Sequence, residues 1–464
     1  MRTPSRRSLL ASLGAAASGL AGCTSEDPTP TTTETNTRAS TETSTGTRSR
    51  TPRATGSTTE PPTKTTESAD DFPMTGRPGG VEAFDDVLPG FLEQWGIPGA
   101  TVAVMDGERL VFTRGYGTVG PDSDDAVHPD ALFRLGSLSK PITAVSVLDL
   151  VEKGELSLDD RAVEILAELV PEDGPVDPRV EAITVRQLLT HTAGWSTEPV
   201  GFDPVFAPIQ VAKAQETEPP ASAETTVEFM LSQELGADPG TTFEYSNVGY
   251  CILGRIIEAV TGKQYERHVR GAILSSLGAG DMAIGATRKE NLREGQVRYR
   301  SHGTTESPFS GEGTVPRPYG AGVLNEALDA NGGWVGSAPD LLRFVRGIDG
   351  LEGVPDVLSA ETKATMLARP DVSRWAGASQ YYGQGWYVTP GEGGPLLWHN
   401  GSLPGSYAFL AHDRGSGRTL VGLFNGRSPD SLFGQFNVAA QRTLLGAAGA
   451  VESWPDRDHF TADS

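Results

Sequence analysis

A serine and a lysine three residues apart, Ser137 and Lys140, are of the types that carry out nucleophilic catalysis. The i, i+3 spacing puts both side chains on one face of a helix, and Pro141 fits only in a helix's first turn. There Lys140 meets the positive end of the helix dipole and is expected to be buried, and both effects lower its pKa. A neutral Lys140 could accept the hydroxyl proton of Ser137. The alternative interpretation is a serine that only caps the helix.

A second motif, Glu-Tyr-Ser-Asn-Val-Gly-Tyr, covers residues 244–250. Its Tyr-x-Asn spacing places Tyr245 and Asn247 on one side of an extended segment. An apolar helix is predicted directly after it, over residues 248–260, and Gly262 ends that helix. From this position Tyr245 could shuttle the proton of the nucleophile, and Asn247 could orient the amide or ester of a substrate.

A third motif, His-Asn-Gly, lies near the C-terminus in the segment 396–405. The pattern predicts a strand that presents His399 beside Gly401. Because Gly401 has no side chain, we expect a substrate to approach the backbone closely there. The alternative is that His399 is a hydrogen-bonded strand residue without a catalytic part.

The elements that must position these residues can be read from the hydrophobic pattern. Residues 100–105 and 110–113 predict two strands of a hairpin joined by an Asp-Gly turn. Residues 142–151 are apolar nearly all round, which predicts a central buried helix. The segment 184–194 predicts a short helix that ends in a glycine-containing turn, which we expect His191 to hold rather than to bind a metal.

Five motifs in this order resemble the serine β-lactamase and penicillin-binding protein superfamily, especially its class C β-lactamase-like branch of D-aminopeptidases, D-alanyl-D-alanine carboxypeptidases and family VIII carboxylesterases. The resemblance covers about residues 80–445. The motifs are Gly-Ser-Leu-Ser-Lys-Pro-Ile-Thr-Ala, Leu-Leu-Thr-His-Thr-Ala-Gly, Tyr-Ser-Asn-Val-Gly-Tyr, Gly-Gly-Trp-Val-Gly-Ser-Ala-Pro-Asp-Leu and His-Asn-Gly. We therefore expect an α/β (α+β) fold. Its antiparallel sheet, built from N- and C-terminal strands, is flanked by helices and packs beside a mostly helical second region.

The resemblance implies acyl transfer through Ser137, with Lys140 and Tyr245 as the proton-transfer pair and Asn247 contacting the substrate. It also implies an oxyanion hole formed by the backbone N–H groups of Ser137 and Ser402. Preorganised donors of this kind contribute about 3 to 4 kcal/mol for one donor.

The sequence departs from the superfamily at the third motif. Many members have Lys-Thr-Gly where this chain has His399, Asn400 and Gly401, and the lysine supplies a permanent cation for a substrate carboxylate. An imidazole is mostly uncharged at pH 7. We therefore expect a small-molecule ester or peptide substrate. The alternatives are a D-amino-acid peptidase or carboxypeptidase, a β-lactamase, or a non-catalytic, penicillin-binding-like sensor or binding protein.

The N-terminal residues predict export. Residues 1–23 contain a twin-arginine pair, a short apolar run and a lipobox-like Leu-Ala-Gly-Cys, so Cys23 is a candidate for lipid attachment. A plain cleavage site or a membrane-spanning anchor are the alternatives. Of the 47 residues 24–70, 24 are Thr or Ser, which predicts a disordered stalk over 24–78. The catalytic domain is assigned to 79–464, on the outer face of the membrane or secreted.

The composition excludes several other classes of function. The formal net charge of −22 disfavours nucleic acid and anionic lipid surfaces as partners, so contact with the membrane is expected only through the lipid anchor. Only seven basic residues are lysines, and an acidic, lysine-poor surface suits concentrated salt.

No metal or organic cofactor is expected. The two cysteines, Cys23 and Cys251, do not have zinc-site spacing, and Cys251 is expected to be buried and inert. The Gly-x-Gly-x-x-Gly of residues 115–120 is followed by proline and aspartates rather than a helix, which predicts a strand end and turn. Residues 198–225 and 286–320 are expected to form loops that border the cleft.

Overall fold

The computed structural model describes residues 72–76, 81–172, 174–197, 199–351 and 354–461. The predicted signal with Cys23, and the stalk up to residue 71, lie outside the described residues.

The described residues form thirteen strands in three sheets. Their bounds are β1 Met74–Thr75, β2 Gly99–Asp106, β3 Arg109–Gly117, β4 Phe133–Arg134, β5 Ala283–Ile284, β6 Thr304–Glu306, β7 Thr314–Pro316, β8 Trp334–Gly336, β9 Tyr381–Tyr382, β10 Tyr387–Thr389, β11 Leu396–Leu403, β12 Ser406–Asp413 and β13 Arg418–Phe424. The main sheet has the order β1-β3-β2-β13-β12-β11-β10-β9, and all its pairs are antiparallel. The other sheets are β4-β8-β5 and the hairpin β6-β7.

The main sheet joins the two ends of the described chain. The hairpin of β2 and β3 closes at Gly107, whose φ of 61° suits a residue without a Cβ. Strand β2 pairs on its other side with β13, from Ala100 opposite Phe424 to Asp106 opposite Arg418. The predicted sheet of N- and C-terminal strands is therefore confirmed.

Twelve α-helices are assigned in the same part of the chain. Their bounds are α1 Leu88–Trp95, α2 Ser139–Glu152, α3 Ala162–Ile165, α4 Val185–Leu189, α5 Pro208–Ala214, α6 Ala223–Leu231, α7 Asn247–Thr261, α8 Tyr265–Val269, α9 Asn325–Leu328, α10 Ala338–Arg346, α11 Ala360–Met366 and α12 Phe433–Ala450. Helices α1, α10 and α12 pack on the main sheet, whereas α3, α4, α6 and α8 pack around α7. The α+β architecture with a helical second region is confirmed.

Helix α2 is buried along almost its whole length, from Ser139 to Leu150. Its apolar residues face neighbours on every side, as the sequence predicts for a central helix. Helix α7 lies against it and ends at Gly262, which adopts φ 66°. These two helices carry Lys140 and Asn247, two residues of the site described below.

Two predicted boundaries need correction. Strand β1 lies inside the segment assigned to the stalk and pairs with Gly115 and Tyr116 of β3. Ordered structure therefore begins before residue 79. Phe72 and Met74, which pack on the core, are the apolar residues that make this possible. The prediction of a loop over 198–225 is also wrong in part, because α5 and the first residues of α6 lie within it.

None of the helices in the described residues has the length and hydropathy needed to cross a membrane.

Candidate active site

The turn that carries Ser137 is packed backbone to backbone against β11. A Cβ on Gly401 would lie 1.8 Å from the Leu135 carbonyl oxygen and 2.9 Å from the Ser137 nitrogen. Gly136, with φ 53°, would place a Cβ 2.8 Å from the Ser402 nitrogen. The space beside Gly401, where the sequence predicts the close approach of a substrate, is filled by the turn that carries Ser137. The two N–H groups predicted for the oxyanion hole belong to these adjoining segments.

Lys140 is fully buried, and its ammonium nitrogen has three oxygen neighbours. Nζ lies 3.1 Å from Ser137 Oγ, 2.8 Å from Asn247 Oδ1 and 2.8 Å from the Asn331 carbonyl oxygen. Burial lowers the pKa of Lys140 from 10.5 to about 7, against the opposing effect of the Asp203 carboxylate. A substantial fraction of Lys140 is therefore neutral near pH 7.

A neutral lysine has two N–H donors and one lone pair. The carbonyl oxygen of Asn331 and the amide oxygen of Asn247 can only accept, so each takes one N–H of Lys140. The lone pair is then left for the third neighbour, the hydroxyl of Ser137. This is the arrangement that a general base for Ser137 requires.

The orientation of the Asn247 amide is set by Asp203. Asn247 Nδ2 donates to Asp203 Oδ2 at 2.7 Å, and a carboxylate can only accept, so the amide oxygen must face Lys140. Asp203 Oδ1 accepts from the backbone N–H of Val205 at 3.3 Å, as the N-cap of a short 3₁₀ turn. The sequence predicts Asn247 as a contact to the substrate; its amide is held between Asp203 and Lys140.

The turn after α9 brings the Asn331 carbonyl to Lys140. Within this turn the Ala330 carbonyl accepts from Thr143 Oγ1 of α2 at 2.6 Å. Asp329, which begins the turn, forms an ion pair of 2.6 Å with the buried Arg255 of α7. The turn is thus bonded to α2, which carries Lys140, and to α7, which carries Asn247.

Tyr245 lies over the ammonium group of Lys140, with Nζ 4.9 Å from the ring centroid. Its ring is half-buried and packs against the ring of His191 in a tilted arrangement, with 4.3 Å between the ring centroids. The structure therefore brings Tyr245 to the Ser137–Lys140 pair, and its part in proton transfer stays a prediction.

His191 holds the segment that presents Tyr245. Its backbone oxygen accepts from the Glu244 N–H at 2.9 Å, and its Nδ1 accepts from the Ser246 N–H at 3.1 Å. Burial lowers the pKa of His191 well below its ordinary value, which matches a neutral ring that accepts at Nδ1. These contacts agree with the predicted role of His191, which is to hold the chain at a turn.

His399 is buried at 1% exposure, and both of its ring nitrogens have partners within the protein. Nδ1 lies 2.6 Å from the Asn400 carbonyl oxygen, which fixes the proton on that nitrogen, and Nε2 then accepts from the Tyr382 hydroxyl at 3.2 Å. Burial lowers the pKa of His399 to about 3. The sequence places His399 in contact with substrate, whereas in the structure its polar atoms face protein groups.

Three further residues belong to the site although no motif in the sequence points to them. Asp203 carries only the signal of an N-cap before proline, which says nothing about its reach to Asn247. Asn331 acts through its backbone carbonyl, so its side chain gives no signal. Tyr382 lies in no motif, and only the fold places it against His399.

The remaining sequence expectations concern residues outside this cluster. Cys251 is buried, and burial raises the pKa of its thiol to about 12. The glycine pattern of residues 115–120 spans the end of β3 and a turn, with no helix directly after it. Across the described ranges, no group of three or more His, Cys, Asp or Glu side chains is arranged to hold a metal ion.

The two segments expected to border the cleft behave differently. Residue Asp203 of the segment 198–225 enters the site itself. The segment 286–320 contains β6 and β7 and is fastened by Arg134, three residues before Ser137. Arg134 donates to the carbonyls of Pro318 and Ala286, and its guanidinium lies 4.6 Å from the ring centroid of Tyr299.

A comparison with known families assigns the chain. The sequence profile described as Beta-lactamase matches residues 84–442. The chain belongs to the Beta-lactamase family. The motifs at Ser137, Tyr245 and His399 all lie within the matched region, so the superfamily resemblance stated from the motifs is confirmed.

Relatives within the Beta-lactamase family have several described activities. The chain is 29% identical over 376 residues to Penicillin-binding protein 4 of Amycolatopsis lactamdurans, covering 76% of this chain and 87% of that protein. It is 28% identical over 288 residues to Esterase EstB of Burkholderia gladioli, covering 59% of this chain and 72% of that protein. The crystal structure of a D-stereospecific amidohydrolase from Streptomyces is similar, with a TM-score of 0.57 and 25% sequence identity. The match covers 75% of this chain and 94% of that chain. The Beta-lactamase family is a family of serine hydrolases, and these neighbours include an esterase and an amidohydrolase.

Proposed function

We propose that this protein is an exported serine hydrolase that cleaves an ester or amide bond through an acyl-enzyme on Ser137. The observation that carries the proposal is the hydrogen bonding of Lys140. Two of its three oxygen neighbours can only accept, so its lone pair is directed at the Ser137 hydroxyl, 3.1 Å away.

In the acylation step, the proton of the Ser137 hydroxyl passes to neutral Lys140 while Oγ forms a bond to the substrate carbonyl carbon. The carbonyl electron pair moves to oxygen, and the N–H groups of Ser137 and Ser402 stabilise the resulting oxyanion. When the tetrahedral intermediate collapses, the bond to the leaving group breaks. The leaving group takes a proton from Lys140 directly or by way of Tyr245.

Deacylation repeats these steps with water as the nucleophile. Water gives its proton to the same base as its oxygen attacks the acyl carbon, and Ser137 recovers its proton as the ester bond to Oγ breaks. The product is a carboxylic acid, and Lys140 ends neutral, ready for another cycle.

The electrostatics of the site favour a substrate without a carboxylate beside the scissile bond. A neutral His399, whose nitrogens are held by Asn400 and Tyr382, offers no cation to such a group. Esters and uncharged amides do not need that cation. The similarity to Esterase EstB supports the ester as the first choice.

Cleavage of D-amino-acid amides or peptides is the second candidate function, and the fold shared with the Streptomyces amidohydrolase favours it. β-Lactam hydrolysis ranks lower because of the missing cation. A protein that only binds a ligand is disfavoured by the Lys140–Ser137 geometry, since binding needs no base directed at a nucleophile.

The test is covalent labelling of the full-length protein by a fluorophosphonate probe, followed by mass spectrometry of the labelled peptide. We expect one label on Ser137 in the natural protein and none in Ser137→Ala. Labelling that survives in Ser137→Ala would overturn the proposal. A short-chain nitrophenyl ester, a D-alanyl peptide and a chromogenic cephalosporin, assayed in parallel, separate the candidate substrates.

We also propose that the protein is held at the outer face of the cell membrane by a lipid on Cys23. The support is the twin-arginine pair followed by Leu-Ala-Gly-Cys in the sequence. Membrane fractions should contain the natural protein and lose it in Cys23→Ser. Equal amounts of both proteins in the membrane fraction would contradict the lipid anchor.

A further inference from the structure

The amide of Asn247 can face Lys140 with either of its two ends, and the two choices have opposite effects on catalysis. With the oxygen towards Lys140, the amide accepts an N–H and leaves the lysine lone pair to Ser137. With the nitrogen towards Lys140, the amide would donate to that lone pair and compete with the proton of Ser137. The activity of the pair therefore depends on what fixes this amide.

Asp203 is the group that fixes it. Its Oδ2 lies 2.7 Å from Asn247 Nδ2, and a carboxylate has no proton to offer at neutral pH, so only the amide nitrogen is a suitable partner. Turning the amide over would bring two acceptor oxygens together and leave Nδ2 against Lys140. The charge on Asp203 thus opposes the unproductive orientation, since a hydrogen bond to an ionised group is about twice as strong as a neutral one.

Asp203 also supplies the one charge that acts appreciably on Lys140 among the described residues. The other titratable groups facing Lys140 come from the turn after α4, the segment before α7, α7 itself and β11. They are His191, Tyr245, Tyr250 and His399. Burial keeps both histidines neutral, because it lowers the pKa of each. The effect of Asp203 on Lys140 is therefore not masked by a second charge nearby.

We propose that Asp203 is a positioning residue for acylation: its carboxylate holds the Asn247 amide oxygen on Lys140, which directs the lysine lone pair at Ser137. The inference rests on the proposed function. It assigns a role in that reaction to a residue outside the five motifs that carry the family resemblance. Asp203 acts through Asn247 and Lys140 and does not itself exchange a proton with the substrate.

Two substitutions separate the charge of Asp203 from its hydrogen bond. In Asp203→Asn the one side-chain oxygen can still accept from Asn247, but the charge is gone and an amide nitrogen replaces the oxygen that caps the turn at Val205. In Asp203→Ala both the charge and the bond to Asn247 are lost. Asp124→Asn, an exposed residue, is the control for removing one negative charge.

The readout is the second-order rate of Ser137 labelling by a fluorophosphonate between about pH 5 and pH 9, with the full-length protein. Without the carboxylate the pKa of Lys140 falls further, so the acid limb of Asp203→Asn should move to lower pH by roughly half a unit to one unit. Asp203→Ala should show the same movement and, in addition, a plateau rate lower by about tenfold or more, because the Asn247 amide is free to turn. Asp124→Asn should match the natural protein.

An acid limb that stays in place in Asp203→Asn, or a plateau in Asp203→Ala equal to that in Asp203→Asn, would overturn the inference while leaving the proposed function intact. Failure of the natural protein to label at Ser137 would overturn both. The unfolding midpoint of each variant is measured alongside, because both variants lose the oxygen that caps the turn at Val205. Asp203→Asn keeps the size of the side chain and the bond to Asn247, so its pH profile decides the role of the charge even if the alanine variant unfolds.

Discussion

The hydroxyl of Tyr382 lies 3.2 Å from Nε2 of His399, in a part of the molecule where both side chains are buried. Since Nδ1 of His399 carries the ring proton, the tyrosine must donate. The histidine of the third motif is therefore an acceptor within a packed group of rings, and it stays neutral at every pH at which the protein is expected to work.

Replacing Tyr382 with Phe should destabilise the protein, because Nε2 of His399 would be left buried without a donor. The expected loss in the free energy of unfolding is about 1 to 3 kcal/mol. Chemical denaturation measures it. Tyr381→Phe is the matched control, because Tyr381 is less buried and its hydroxyl donates to the Leu367 carbonyl instead. Equal stability of Tyr382→Phe and the natural protein would contradict the hydrogen bond to His399.

The rate of Ser137 labelling should depend on the protonation of Lys140. Because burial lowers the pKa of Lys140 to about 7, the rate should reach a plateau above about pH 8 and fall roughly tenfold per unit well below pH 7. The pH dependence of labelling by a fluorophosphonate measures this limb directly. A limb near pH 10 would mean that Lys140 is charged in the folded protein and would count against it as the base.

The same pKa shift bears on stability. Between pH 7 and 10.5 the unfolded chain binds more protons at Lys140 than the folded protein does. The contribution of Lys140 to the free energy of unfolding therefore rises with pH over this interval. Comparing the free energy of unfolding of the natural protein with that of Lys140→Met at pH 7 and at pH 9 isolates this contribution. Relative to the methionine variant, the natural protein should be more stable at pH 9 than at pH 7.

Adding a single methyl group at Gly401 should abolish activity. The Cβ of Gly401→Ala would overlap the Leu135 carbonyl, so β11 and the turn of Ser137 would have to separate. Both labelling and the unfolding midpoint are expected to fall. Gly446→Ala is the control, because Gly446 is exposed in α12 with no atom near its Cβ position, and there alanine should stabilise by up to about 1 kcal/mol.

Salt should stabilise this protein. A formal net charge of −22 generates self-repulsion, and raising salt from about 0.1 M to 1 M shortens the screening length from about 10 Å to 3 Å. We expect activity and the unfolding midpoint to fall as salt is withdrawn. Full stability and activity in dilute buffer would contradict this prediction.

The sequence predicts the elements and the contact of Ser137 with Lys140 well, because both depend on local spacing. The predicted helix over 248–260 is α7, which covers Asn247–Thr261, since an apolar stripe and a terminal glycine fix its ends. The contact of Ser137 with Lys140 follows from one turn of helix.

The parts of the site that escaped prediction depend on long-range packing. The carbonyl of Asn331 reaches Lys140 only because a turn nearly 200 residues further along the chain is fastened to α2 and α7. The sequence predicts that a substrate approaches the backbone at Gly401, whereas the fold brings the turn of Leu135 to the space beside it. Residue type and spacing indicate which atoms are available, but not which distant backbone segment meets them.

The pairing of β2 with β13 has a consequence for how the chain folds. Ala103 is matched with Val421, so the centre of the main sheet joins segments from opposite ends of the domain. Contacts of such sequence separation form slowly, because a long loop must close before they are made. During synthesis the hairpin of β2 and β3 can form early. Its open edge then has no partner until the ribosome has released residue 424, and over that interval the nascent chain exposes an unpaired strand prone to aggregation.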